Sequence, residues 1–193
     1  MRPKTGGVAD ELRADAARNR ARVLEVARER LAAGDATLPM NTIARLAGVG
    51  VGTVYRHFPS RRALLESLAT EGFERLLAEA RAAADDDDPG MGLERLLRYG
   101  LRCQLEDAAL AAVLRSSESV CARTSRLWAE LFEAVGRLLG RAREAGALRP
   151  EIGADDIRCL LCGVEHAVRM GDGDADKIDR YFGVLLGGLR AHD

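Results

Sequence analysis

No apolar run in the 193 residues approaches the ~20 that a membrane span needs. The opening stretch MRPKTGGVADELRAD lacks the apolar core of a secretory signal, so cytoplasmic residence is expected and no membrane partner. In that compartment the four cysteines, Cys103, Cys121, Cys159 and Cys162, are expected as reduced thiols rather than a disulfide framework. Nothing alternates with period two, which excludes strands and leaves an all-α chain. Lysine is nearly missing: Lys4 and Lys177 stand among 29 basic residues. That arginine bias, with abundant alanine, is associated with GC-rich bacterial genomes.

Catalytic signatures are missing too. There is no nucleophile elbow, no phosphate-binding glycine loop and no paired metal motif, and the chain has only three histidines. Glu165 and His166 are neighbours, about 100° apart on a helix, and make a poor acid–base pair. No enzyme activity, no cofactor and no metal are expected. Two other absences are local. Asp85 to Asp88, followed by Pro89 and Gly90, cannot extend a helix against its own dipole, so this run is expected as a solvated loop. And from residue 36 to residue 65 there is no carboxylate at all.

That acid-free stretch carries Arg45, Arg56, Arg61 and Arg62 in a chain of which 31% is charged. Basic groups supply sequence-independent DNA affinity by displacing counterions, and carboxylates oppose it. The charge is divided along the chain in the same sense: residues 1–72 hold 12 basic and 8 acidic groups, and the remainder 17 and 22. One end suits a polyanion and the other does not.

Residues 42–65 read TIARLAGVGVGTVYRHFPSRRALL. A short helix over 42–47 ends at Gly48, which supplies a positive-φ turn. A second short helix follows over 51–58. This is the spacing of a helix-turn-helix, whose second helix enters the major groove. Thr53, Tyr55, Arg56 and His57 are offered outward, with Val54 and Phe58 four apart as buried anchors. Gly50 and Gly52 leave room for backbone N–H groups to approach phosphates. Arg61 and Arg62 sit in the first turn of the next helix, where cations oppose the dipole, and a phosphate backbone would explain them. Residues 18–33 form the first helix, with Val23, Leu24, Ala27 and Leu31 closing a small core against Ile43, Leu46, Val49, Val54 and Phe58.

The run IARLAGVGVGTVYRHFPSRRALL resembles the DNA-binding signature of TetR-family transcriptional regulators, densely over residues 18–70. The resemblance implies an all-helical homodimer with an N-terminal three-helix domain and a larger C-terminal ligand-binding and dimerisation domain. Mapped on this chain, it points to Thr42, Gly52, Thr53, Tyr55, Arg56, His57 and Arg61 as the DNA-binding residues. Gly50 stands where the family commonly has a capping serine, and Pro39 where a threonine often caps the preceding helix. The stretch CLLCGVEHAVRM…DRYFGVLLGGLRA is similar to the effector domain of the SbtR-like branch.

The domain reading is a flexible arm over 1–17, a helix-turn-helix domain over 18–64 and an effector-binding and dimerisation domain over 65–193. Arg2, Lys4 and Arg13 in the arm are available to lie along phosphates. A helix over 60–84 links the two ends as a lever, and helices follow over 92–104, 107–116, 119–144, 154–171 and 174–191. Tyr99, Cys103, Leu114, Trp128, Phe132 and His166 are the candidate lining of a pocket for a small-molecule effector. On the last two helices, one apolar stripe holds Ile157, Leu160, Leu161, Val164 and Val168, and the other holds Ile178, Tyr181, Phe182, Leu185, Leu186 and Leu189. Small residues on a second side of each helix suit close approach between two copies. Cys162, Gly163, Tyr181, Gly183, Leu186 and Gly187 are therefore the candidate dimer interface. The expected function is a dimeric repressor that a small molecule releases from a palindromic operator in double-stranded DNA. An activator is the alternative, as is a regulator sensing redox or metal through Cys159, Cys162 and His166.

Overall fold

The structure, a computed structural model, describes residues 6–116, 118–171 and 174–191. Within them the chain forms nine α-helices and no strand: α1 (Gly6–Ala32), α2 (Met40–Ala47), α3 (Val51–His57), α4 (Arg61–Ala84), α5 (Pro89–Glu106), α6 (Ala108–Leu114), α7 (Ala122–Glu144), α8 (Ala154–Met170) and α9 (Ala175–Leu189). It divides into two compact units, Met1–Leu68 and Ala69–Asp193, so the boundary falls inside α4, four residues later than the sequence suggests.

The first unit packs α1, α2 and α3 pairwise. Val23, Ala27 and Leu31 of α1, Ile43, Ala44 and Ala47 of α2, and Val54 and Phe58 are buried. Leu46, expected in this core, is instead 44% exposed, and Val49 is only half-buried. Three residues after Ile43 the helix has turned by about 300°, which carries Leu46 past the narrow inner face that Ala44 and Ala47 fill. Gly48 has φ +64° and its N–H reaches the Ala44 and Arg45 carbonyls, closing α2 in the left-handed conformation the turn requires. Before α2, Asp35 accepts from the Thr37 hydroxyl at 2.6 Å and from Arg30 at 2.5 Å. Those donors hold its carboxyl down at about 2, against a usual value near 3.8.

Residues 6–17 correct the expected arm over 1–17, because they are the first half of α1. Their Ala and Arg residues are strong helix formers. Arg13 pairs with Asp10 at 3.2 Å, and Arg18 pairs with Asp15, each three residues apart on the helix surface. Arg2 and Lys4 lie outside the described residues.

In the second unit α5 is central, packing against α6, α7 and α8, while α9 packs on α8. The acidic run separates α4 from α5 and also builds the second of them. Asp88 accepts from the Gly90 and Met91 N–H groups at 2.9 and 3.0 Å, with Pro89 in the first turn. Asp86 pairs with Arg95 at 2.5 Å, which holds its carboxyl below the usual range. Gly92 passes tightly against the end of α4: a Cβ there would stand 2.7 Å from the Ala83 carbonyl oxygen. Gly92→Ala should therefore cost about 1–3 kcal/mol, as overpacking against backbone does, despite alanine's better helix propensity. A thermal melt of the variant checks it; an unchanged or raised midpoint would contradict the close approach.

Candidate nucleic-acid interface

The helix-turn-helix is built on apolar anchors and presents polar groups from the opposite side. Val54 is 0% and Phe58 1% exposed, whereas Tyr55 is 46% exposed and Arg56 and Gly52 are also open. Thr42, Thr53 and His57 are half-buried. Gly50 occupies the N-cap of α3 with no side-chain cap, and Pro39 does the same for α2. Both helix N-termini thus keep amide N–H groups without a side-chain acceptor, the condition under which a phosphate oxygen is bound.

The two arginines after the turn behave differently. Arg61 is exposed and donates to the Ala36 carbonyl, so part of its fork is engaged within the unit. Arg62 pairs with Glu66 at 3.0 Å, and the Glu66 side chain is wholly buried. Arg62 in the first turn of α4 thus has an intrachain carboxylate four residues on as a partner.

Two basic groups of α1 were not legible from the helix-turn-helix alone. Arg20 stacks over the Phe58 ring at 5.4 Å. The guanidinium of Arg22 lies over the turn, with Nη2 2.8 Å from where a Cβ on Gly48 would stand. Both arginines lie at the start of the first helix expected over 18–33, where Arg18, Arg20 and Arg22 alternate, and that cluster of basic residues is the signal that could have found them. Val51 was also missed: it is 41% exposed, one turn before Tyr55, and puts an apolar patch beside the phenol.

The second unit contains a cavity of about 70 Å³ among α4, α5, α6, α7 and α8. Leu114, Trp128 and Phe132 line it as expected from the sequence, and Tyr99, Cys103 and His166 do not. On α5 the lining falls on Leu96, Leu97, Gly100 and Gln104, which recur at helical spacing. Tyr99 and Cys103, four apart, share a different side of that helix. Burial pushes both the Tyr99 phenol and the Cys103 thiol up, and Arg102 sits 5.2 Å over the Tyr99 ring. His166 is exposed because the inward position of its turn belongs to Glu165, which is 0% exposed. Gln104, a buried amide one turn after Gly100, is the lining residue the sequence could have offered.

Cys162 was expected at a dimer interface, but its Sγ turns inward and donates to Gln104 Oε1 at 3.4 Å. Burial pushes this thiol up, which disfavours the thiolate that redox or metal chemistry needs. Cys159 is exposed, donates to Asp155 and accepts from Arg158, whereas the hydrogen bond of Cys162 runs to Gln104. Among the described residues no three His, Cys, Asp or Glu side chains are grouped to hold a metal ion, and no helix is long and apolar enough to cross a membrane.

The expected α8 and α9 stripes each divide. Ile157, Leu161, Val168, Phe182, Leu185 and Leu189 are buried, whereas Leu160 is 41% and Val184 72% exposed. Leu160, Gly163, Val164, Ala167, Tyr181, Val184 and Gly188 line an outward apolar groove. Gly163 and Tyr181 of the expected interface lie in it. Leu186 lines a different groove, with Met91 and Leu93 of α5. Gly183 and Gly187 are exposed with nothing near a Cβ position, so no close helix approach within the chain accounts for either.

Comparison with known proteins agrees with this two-part anatomy. Residues 23–68 match the description "Bacterial regulatory proteins, tetR family", and residues 88–191 match "Transcriptional regulator SbtR-like, C-terminal domain". The chain belongs to the TetR family. It is a DNA-binding transcriptional regulator with a helix-turn-helix, and the family is one of regulators rather than enzymes. Over 69 residues it is 35% identical to the HTH-type transcriptional regulator SAR0097 of Staphylococcus aureus (strain MRSA252), a match covering 35% of this chain and 36% of that relative's length. A TetR transcription regulatory protein from Mycobacterium vanbaalenii is 36% identical, with 93% of this chain and 99% of that chain covered and a TM-score of 0.48. RolR, solved in complex with resorcinol, is 24% identical at a TM-score of 0.61, covering 93% and 91%, and is a likeness of fold.

Proposed function

We propose that this TetR-family regulator is a homodimeric repressor that a small molecule dissociates from a palindromic operator. The observation that carries the reading is the pairing, in one chain, of an acid-free helix-turn-helix with an apolar cavity in a separate unit. Thr53, Tyr55 and His57 serve as phosphate contacts and Arg56 as a contact to phosphate or a guanine edge. Thr42, Gly52 and the free part of the Arg61 fork complete the surface. Two copies meet through the outward α8–α9 groove, whose exposed Leu160 and Val184 would otherwise remain an apolar patch in water. A cavity occupant favours a form in which the two recognition helices are wrongly spaced, so effector and operator weaken one another by the same factor. A reporter gene behind the recovered operator, with and without the regulator, separates repression from activation.

The surface assignments have distinct signatures. Arg56→Ala should lower the slope of log affinity against log salt by about 1 if Arg56 neutralises a phosphate. If it reads guanine, specificity at that one base pair relaxes instead. Tyr55→Ala should weaken operator and non-operator DNA alike by about tenfold, the worth of a lost contact, and leave dimerisation intact. Fluorescence anisotropy across a salt series reads both variants; unchanged affinity on either would remove that residue from the interface.

A further inference from the structure

We propose that Val51 of α3 reads one thymine of each operator half-site through its 5-methyl group, the bare backbone at Gly52 letting the groove edge come that close. The proposal rests on the reading above that two copies of α3 lie in the major groove of an inverted repeat.

Val51 opens α3 and is 41% exposed, although Val54, three residues on, is a fully buried anchor. It shares a side of the helix with Tyr55, four residues later and about 40° further round the axis. Such a side chain cannot serve the polyanion. It has neither charge nor hydrogen-bonding group, so a phosphate oxygen gains nothing from it, whereas Thr53, Tyr55, Arg56 and His57 each offer a donor. In a helix-turn-helix the first turn of the recognition helix is the part that lies against base edges. Those edges present nitrogen and oxygen acceptors, amino donors and one apolar group, the 5-methyl of thymine. A valine set against thymine finds an apolar partner. Set against any other base, it covers a polar edge without bonding it.

The neighbours of Val51 point the same way. A Cβ on Gly52 would meet nothing within 4 Å, so no packing within the chain requires a glycine there. Its backbone does not require one either, since among the described residues only Gly34, Gly48 and Gly146 are glycines of positive φ. Glycine inside a helix weakens it, and close approach of another molecule's surface is the use that remains. Gly50 is also exposed, with only Thr53 Oγ1 near its Cβ position, at 3.7 Å. Over positions 50–52 Val51 is therefore the single side chain, and nothing beside it holds a base edge away.

The test uses the full-length protein and the inverted repeat it selects from random double-stranded DNA. Each thymine is replaced in turn by uracil, which removes the 5-methyl and keeps every hydrogen-bonding group of the edge. At one thymine per half-site the replacement should weaken binding about fourfold, the worth of one buried methyl. In Val51→Ala the penalty at that position should fall below about twofold, with non-operator DNA bound within about twofold of wild type. Tyr55→Ala, by contrast, weakens both kinds of DNA. Gly52→Ala should melt at or above the wild-type temperature, because alanine favours helix and its methyl meets nothing, yet bind the repeat about tenfold more weakly. Wild-type affinity in Gly52→Ala would contradict the close approach. Uracil tolerated at every thymine, a selected half-site without thymine, or a penalty that survives Val51→Ala would each overturn the proposal and leave the operator reading standing. If no inverted repeat is recovered, the operator reading falls and the proposal falls with it. The uracil scan on the wild-type protein decides alone should a variant fail to fold.

Discussion

Phe58→Ala should destabilise the first unit by about 3–5 kcal/mol and abolish DNA binding at 37 °C, although Phe58 touches no DNA in this account. The ring is 1% exposed at the end of α3, one turn beyond Val54, and Arg20 of α1 covers one of its faces. It is the largest buried side chain of a unit whose buried residues also include Val23, Leu31, Leu38, Ile43, Val54 and Leu64. Truncation to alanine leaves a cavity that the surrounding side chains refill only in part. Small cores have little stability to spare. Tyr55→Ala, three residues earlier on the exposed side, is the control: it should change stability by less than about 0.5 kcal/mol while weakening DNA. A melt and a binding isotherm on both variants separate holding the recognition helix from using it. A Phe58→Ala protein with normal stability would contradict the core described above.

Removing both Arg115 and Arg169 should destabilise the second unit by about 3–5 kcal/mol, because it strands the Glu165 carboxylate in the interior. Glu165 is 0% exposed and accepts from Arg115 Nη1 at 3.3 Å and from Arg169 Nε. Arg169 also donates Nη2 to the Gln104 and Leu105 carbonyls, at 2.8 and 3.1 Å, which are among the last of α5. One carboxylate thus aims the guanidinium that caps the helix carrying the cavity's Gln104. Arg169→Ala alone should cost about 2–3 kcal/mol, since the carboxylate keeps one partner and two carbonyls lose a charged donor. Chemical denaturation measures both. A double variant no weaker than the single would mean that the pairs do not share Glu165 in the way the distances imply.

How much of this was legible in the sequence depended on what each position had to satisfy. Val54, Phe58 and Gly48 were legible because burial and a left-handed turn admit few residue types. Trp128 and Phe132 followed from a spacing of four on an obviously amphipathic helix. Tyr99, Cys103 and His166 were misplaced because periodicity fixes which residues share a side but not which side faces the cavity. For α5 that choice depends on α7 and α8 far along the chain. The Arg62–Glu66 pair was not read from the sequence because Glu66 lies just beyond the acid-free stretch that drew attention to Arg62. The helix over residues 6–17 was missed because a polar segment with no apolar stripe looks like a tail unless its own ion pairs and propensities are weighed.

The claim that everything else leans on is that α3 enters a duplex in two copies with a fixed separation. Selection of bound fragments from a random pool of double-stranded DNA, followed by the stoichiometry of the winning complex, tests it most directly. The account predicts an inverted repeat with half-sites centred about 34–36 Å apart, or one helical turn, occupied by two chains. Recovery of a single unrepeated site bound by one chain, or of no duplex at low ionic strength, would contradict it.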